Sequence, residues 1–378
     1  MSLLRIIYLF LLPVLGLFTT TNSIASDQAA SWDFGVNYTA ELMHNARGGQ
    51  ETGSTYMDIA ELNFTRSSDN GQWYGYLFYT NNNSFSADKV GDTQIVSNID
   101  SEQMLRVMEL WYETEISFGI NLKAGLYDLN SEFDAIEPAG LFLNSSHGIG
   151  PDYSQTGDMG PSIFPFSALA IRIASDLGAG WSLQGAVIDA VAGDPEHPKR
   201  TDLTLSAEDG ALLAVEANYN NNNWRFGIGG WHYTQPTEVL SAERLEHNHG
   251  IYALVSNQYQ LNDSEAKLNS FVRFGVTDSH VNALGSYWGM GVTLSNFSSR
   301  RPDDQLGIAI ANARTSTYGQ IYDGLSATSE TNIEMTYQAT IGEQIILQPD
   351  IQYIINPGNL KQRENALVFG LRAQFTFL

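Results

Sequence analysis

The sequence predicts an all-β protein: a 16-stranded antiparallel transmembrane β-barrel with one long loop folded into its lumen. Three observations lead there. From Trp32 onward the chain reads as short segments of alternating polarity, separated by Gly, Asn, Asp and Ser turns. The links sort by length, tight after even-numbered segments and long after odd-numbered ones, as in barrels with short turns on one rim and long loops on the other. Charged residues are only 16% of the chain while aromatics reach 11%, a low charge content for a surface that meets only water.

The segments fall at about 32–43, 55–66, 72–82, 103–115, 118–127, 166–177, 181–190 and 211–219. They continue at about 224–233, 249–261, 266–277, 286–297, 306–316, 331–341, 344–354 and 365–378. Long links occupy 83–102, 128–165, 191–210 and 234–248, whereas Ser67–Gly71, Gly178–Gly180, Asn220–Asn223 and Asn262–Ser264 are tight. A soluble β-sandwich has no reason to sort its loops this way.

Alternation assigns the faces. In the last segment Leu367, Phe369, Leu371, Ala373, Phe375 and Phe377 share one side, expected to meet lipid. Gly370, Arg372, Gln374 and Thr376 share the other, with Val368 as an apolar exception. Trp32, Trp73, Trp181 and Trp224 each begin an odd-numbered segment, which predicts an aromatic girdle near one membrane interface. Phe118, Ile120, Leu122, Ala124 and Leu126 then face out, leaving Asn121, Lys123 and Tyr127 inside; Leu268 to Val276 face out around an inward Arg273. The same counting turns Arg172, Arg225, Arg372, Glu216, Asn218, Glu334, Gln348, Asp350 and Gln352 inward, with Trp231 and Tyr233 as lumenal aromatics. Charge at mid-depth on the lipid face would cost about 2–4 kcal/mol, so inward is the cheap side. Two places break the pattern: Arg106 and Glu109 fall on opposite faces, and Pro349 removes a ladder donor, which predicts a bulge. Sixteen strands leave room for an aqueous channel, which an eight-stranded barrel fills with its own side chains.

At the N-terminus, Arg5, the apolar run Ile6–Phe18 and Ser23-Ile24-Ala25 read as a signal peptide over residues 1–25, too short to span a bilayer. Residues 26–378 are then one barrel domain. Cysteine is absent, compatible with a large fold that needs no disulfides. The net charge of −23 argues against nucleic acid, which needs a basic surface.

The link at about 128–165 is outsized. It opens with four carboxylates, Asp128, Glu132, Asp134 and Glu137, and carries Ile136, Leu141, Phe142, Leu143, Ile149, Ile163 and Phe164. Apolar content of that kind argues against disorder and for folding inward, with the carboxylates opposite the wall arginines. A solvated acidic loop is the main alternative reading of the acids; a glycosidase pair is a remote one, and nothing else supports it. Ser145-Ser146-His147 lacks a nucleophile elbow. His247 and His249 beside Glu246 have a spacing that could bind a metal weakly, but an exposed outer loop is the better reading, and neither a metal nor a cofactor is expected.

The phrases GLYDLNSEFD, AGLFLNSSHGIGP and GPSIFPFSALAIR, with DAVAGDPEHP at 189–198 and LQPDIQYIINPG at 347–358, closely resemble carbohydrate-selective porins of the OprB family. The resemblance runs along the mature chain. It implies a 16-stranded porin of the Gram-negative outer membrane, passing mono- and disaccharides to the periplasm past a constriction built partly by inward-folded loops. Asp128, Glu132, Asp134, Glu137, Lys123, Tyr127, Arg172, Arg225, Trp231, Arg273 and Arg372 are the expected pore-lining set. Paired carboxylates and arginines suit a neutral polyhydroxyl solute, and flat aromatics suit the C–H face of a pyranose. An anion or phosphate pore is the nearest rival, motivated by the arginines, and an outer-membrane enzyme a remote one. Expected partners are sugars in transit, outer-membrane lipid and the barrel assembly machinery; monomer or homotrimer stays open. The chain ends Phe377-Leu378, where such barrels usually end in an aromatic residue, and the penultimate Phe377 is expected to serve.

Overall fold

A computed structural model describes residues 31–378 apart from 82–83, 118, 202, 207, 240–244 and 262–264. The expected signal peptide lies outside the described residues, as do Phe118 and the turn at 262–264. Sixteen strands form one closed antiparallel barrel among the described residues. They are β1 Ser31–Arg47, β2 Gly53–Ser68, β3 Gly71–Thr80, β4 Met104–Ser117, β5 Ile120–Tyr127, β6 Ala168–Gly178, β7 Trp181–Asp189 and β8 Ala211–Asn220. Then follow β9 Trp224–Glu238, β10 Leu245–Gln260, β11 Lys267–Thr277, β12 Leu284–Ser295, β13 Gln305–Thr315, β14 Ser329–Ile341, β15 Ile345–Ile355 and β16 Ala366–Thr376. Each strand pairs with its sequence neighbours, and β1 closes on β16 with Asn37 opposite Thr376 and Leu42 opposite Leu371. Closure leaves no edge strand, so every wall backbone group can be satisfied without water.

The outward face is apolar as the alternation requires. Phe369 and Leu371 on β16, Val272 and Phe274 on β11, and Val187 on β7 are exposed, while their sequence neighbours Arg372, Arg273 and Ile188 are buried. Trp32, Trp73, Trp181 and Trp224 are 44–53% exposed, which excludes a core role. Trp73 lies against Tyr112 (ring centroids 4.9 Å apart) and Trp181 against Tyr219 (5.0 Å), so the girdle is built from aromatic pairs across adjacent strands.

Four details depart from the alternation. The β1–β2 link, 48–52, is short although it follows an odd strand, and the β12–β13 link, 296–304, is long although it follows an even one. The broken parity of β4 has a physical cause: Tyr76 pairs Glu109 and Leu77 pairs Val107, so Met108 is an inserted residue. That bulge turns both Arg106 and Glu109 inward, where both are buried. Pro349 makes no bulge. The β14–β15 register is the same on both sides of it, and Gln348 Nε2 donates to Thr336 Oγ1 (3.0 Å) across the gap. Leu126 is buried instead of lipid-exposed, one residue beyond Gly125, whose φ of 141° is closed to other residues, although the β5 ladders with β4 and β6 continue through it.

Among the described residues a second link joins the expected one in the lumen. The β5–β6 link spans 128–167 and buries Leu129, Phe133, Ile136, Leu141, Phe142, Ile149 and Tyr153 against a wall of Ala170, Ala186, Ala214, Leu212, Trp231 and Phe271. Short alanines there leave space for the loop's large side chains. Gly307 on β13 does the same, because a Cβ would sit 2.8 Å from both Leu141 and Phe142. The β3–β4 link, 81–103, packs Phe85, Val90, Val96 and Ile99 on Met43, Met57, Phe78, Met108 and Val368. Val368, the apolar exception on the inward face of β16, is therefore part of a loop-binding patch. The two loops join through backbone bonds, Asn98 N to Leu143 O (2.8 Å) and Ser145 N to Ile95 O (2.9 Å).

Candidate functional site

The β5–β6 loop starts where β5 delivers its last lumenal residues. Asp128 caps the first turn, accepting from Asn130 N (2.9 Å). Burial, then the neighbouring Glu109, pushes the Asp128 carboxyl up to about 7. One turn later Glu132 reaches back to the wall. It accepts from Lys123 Nζ (2.6 Å), Tyr127 OH (2.8 Å), and Arg172 Nε and Nη2 (both 2.6 Å). Arg172 Nη2 also donates to Glu113 (2.8 Å), and Lys123 Nζ sits 4.0 Å over the Trp111 ring. Burial raises the Glu132 carboxyl, but the Arg172 and Lys123 cations outweigh it and hold the group below its ordinary value. The result is a four-charge cluster of two carboxylates and two cations with no net charge.

Asp134 adopts φ 53°, a left-handed conformation that its short polar side chain tolerates. This turns its carboxylate onto Arg273 of β11, with Oδ1 2.9 Å from Nε. The rest of the Arg273 guanidinium is spent on the loop backbone: Nη1 donates to the Ser146 and His147 carbonyls (3.3 and 3.4 Å), and Nη2 to those of Asp134 and Gly148. Other wall groups grip the loop in the same manner. Glu216 accepts from Asp134 N (2.9 Å), Glu334 from Leu143 N (2.6 Å) and Asn144 N (3.1 Å). Arg225 donates to Ala135 O (2.7 Å) and Gln348 to Leu141 O (2.7 Å).

The expected lining residues therefore separate by location. Glu132, Lys123, Tyr127 and Arg172 come together in one cluster, and Asp134 joins Arg273. Glu137 is exposed and has no ion-pair partner among the described residues. Trp231 is buried under Tyr153, stacked at 5.0 Å and 6°, so a loop residue already covers its ring face. Arg372 pairs with Glu41 and donates to Asn98 of the other inward loop (2.5 Å). Sequence reasoning missed this second loop. Its signal was present in the apolar residues of 83–102, which are fewer than those of the longer link. Among charged side chains at the cluster and at β9, Glu113 (26%), Glu132 (23%) and Arg225 (27%) keep part of their surface in the lumen.

Ser145-Ser146-His147 is structural. Asn144 caps the turn Ser145–Gly148, accepting from Ser146 N (3.1 Å) and Ser146 Oγ (2.6 Å). His147 is buried against Phe142 and Phe271, and burial followed by the Arg273 charge pushes its imidazole down to about 3. It is neutral at any physiological pH and too weak a base to activate a hydroxyl.

The family model "Carbohydrate-selective porin, OprB family" matches residues 60–377. Porin B of Pseudomonas aeruginosa is similar, 22% identical across 92% of this chain and 87% of its own length. The high-pH structure of Pseudomonas putida OprB superposes with a TM-score of 0.80 at 18% identity, covering 92% of this chain and 94% of that one. The trimer form of in-vitro folded OmpT from Vibrio cholerae shares the fold more loosely, with a TM-score of 0.54 at 12% identity over 93% and 100% of the two chains. A closed wall of sixteen strands around inward loops is a channel, not an enzyme's pocket, and the family match extends through most of that wall. The chain belongs to the OprB family of carbohydrate-selective porins, in the outer membrane of a Gram-negative bacterium.

Proposed function

We propose that the channel passes neutral mono- and disaccharides by passive diffusion into the periplasm. One observation carries this: Glu113, Glu132, Lys123 and Arg172 cancel as a cluster at the loop's wall contact. A net-neutral site with both donors and acceptors favours hydroxyl-rich solutes over ions of either sign. The anion-pore reading is weakened because the Arg172, Arg273 and Arg372 guanidinia are held by carboxylates and loop groups, and the part-exposed Arg225 lies 3.4 Å from Glu216. Conduction requires weak binding, so affinity at the cluster is expected to be low.

In this reading Glu132, Glu113, Asp128, Glu137 and Arg225 meet the solute, the buried Lys123, Arg172 and Tyr127 hold Glu132 in place and balance its charge, and Asp134, Arg273, Arg372 and Trp231 hold the loops that shape its path. The precursor loses residues 1–25, the barrel assembly machinery inserts the remainder as one domain, and outer-membrane lipid surrounds the aromatic girdle. A homotrimer, the form of the in-vitro folded OmpT structure, is the assembly to test by crosslinking in native membranes. Liposome swelling across sugars and salts decides the solute. Glucose and a disaccharide should enter faster than salts of comparable size, and added glucose should lower single-channel current in a planar bilayer. Fast phosphate entry with no glucose block would refute the proposal.

A further inference from the structure

The geometry points to a divalent transition-metal site on the loop-bearing rim, formed by Glu246 and Asp278 carboxylates and the His280 imidazole. The three belong to two different elements. Glu246 lies at the start of β10, whereas Asp278 and His280 lie in the link from β11 to β12. Their ligand atoms fall within 4.8 Å of one another. His280 Nδ1 stands 3.1 Å from Glu246 Oε2 and 3.5 Å from Asp278 Oδ1. Two ligands bound at about 2.0–2.1 Å around a tetrahedral zinc ion are roughly 3.3 Å apart, so these separations already suit one shared ion.

The surroundings hold that geometry in place. The β9–β10 register shifts between His247 and His249, with the extra residues on β9, while Asn248 keeps to the inward alternation of Gly250 and Tyr252. Asn248 and Asn282 exchange amide hydrogen bonds (3.0 and 2.8 Å), and Asn282 also donates to Asp278 O (2.9 Å). Asp278 N donates to His249 O (3.0 Å), and His280 N to Asp278 Oδ1 (2.8 Å). The link is thus clipped to β10, and the Tyr318 ring packs edge-on against His280 (4.9 Å). Outer contacts of this kind orient ligands before a metal arrives. An imidazole nitrogen beside two carboxylates selects the zinc-like first-row ions over calcium, which takes 6–8 oxygens. The side chains of Glu246, Asp278 and His280 are 28, 13 and 40% exposed, so an ion can enter from solution. Two carboxylates also neutralise its charge.

The test uses untagged, detergent-solubilised mature protein, titrated calorimetrically with zinc chloride. One saturable equivalent per chain should bind, and a 100-fold excess of calcium should not displace it. His280→Ala and Glu246→Gln should each weaken binding at least about tenfold, the scale of losing support at a metal site. His197→Ala, at the separate exposed pair with Asp194 (2.8 Å), should leave it unchanged. Each variant is confirmed as a folded barrel by its heat-modifiable migration. No saturable equivalent in the wild type, or undiminished affinity in both variants, overturns the site.

Discussion

Replacing Arg273 with alanine should release the constriction loop while leaving the barrel standing. Arg273 is 2% exposed and bridges Asp134 to the backbone carbonyls at 146, 147 and 148. Removing it leaves the Asp134 carboxylate buried without its partner, and breaking a buried pair on one side costs about 3–5 kcal/mol. At 1.4 kcal/mol per tenfold, the closed-to-open ratio of the loop falls by roughly a factor of 10² to 10³ or more. The wall does not depend on this side chain, since β11 keeps full ladders with β10 and β12. Single-channel recording in a planar bilayer should then show a larger or noisier conductance, with glucose block weakened. The heat-modifiable migration of the barrel should be unchanged. Asp134→Ala added to Arg273→Ala removes the stranded charge, so the double variant should recover part of the closed state. Conductance and glucose block identical to wild type in the single variant would refute this assignment of Arg273.

Further outcomes follow from the same loop. Burial, then the nearby Asp134, pushes Asp152 up to about 8, and burial pushes Asp134 up to about 6 against the pull of Arg273. Both carboxyls bind protons more tightly with the loop closed than at their ordinary value of 3.8. Closure is therefore favoured as pH falls from about 8 toward 4, and the open fraction in bilayer recordings should drop over that window. A rising open fraction would contradict it. Glu132→Gln leaves Lys123 and Arg172 facing Glu113 alone, so reversal potentials in a salt gradient should move toward anion selectivity, with glucose block reduced. Gly275 on β11 lies directly beneath Asp152, where a Cβ would collide with the carboxylate. Gly275→Val should raise the open fraction with the barrel intact, and an unaltered conductance would show that Asp152 has another place to go.

The strand count, the faces and the girdle were legible in the sequence because each rests on a local rule. Successive residues in a strand point to opposite sides, so Arg172, Arg225, Arg273 and Arg372 were inward by counting alone. The large link at 128–165 was legible from its length and its apolar residues, and its phrases carried the family resemblance. What each lumenal group touches was not legible, because those contacts join residues far apart in sequence. Glu132 meets Arg172, but Asp134 meets Arg273 more than a hundred residues away, and Arg372 serves the other inward loop. The Met108 bulge shows the same limit on a smaller scale: counting by twos detects that parity fails in β4, and only the partner strand reveals which residue is extra. Alternation thus determined which residues share the lumen. The closing of the sheet, the seating of two loops on small wall residues, and the spending of buried charge on nearby partners decided which of them face water.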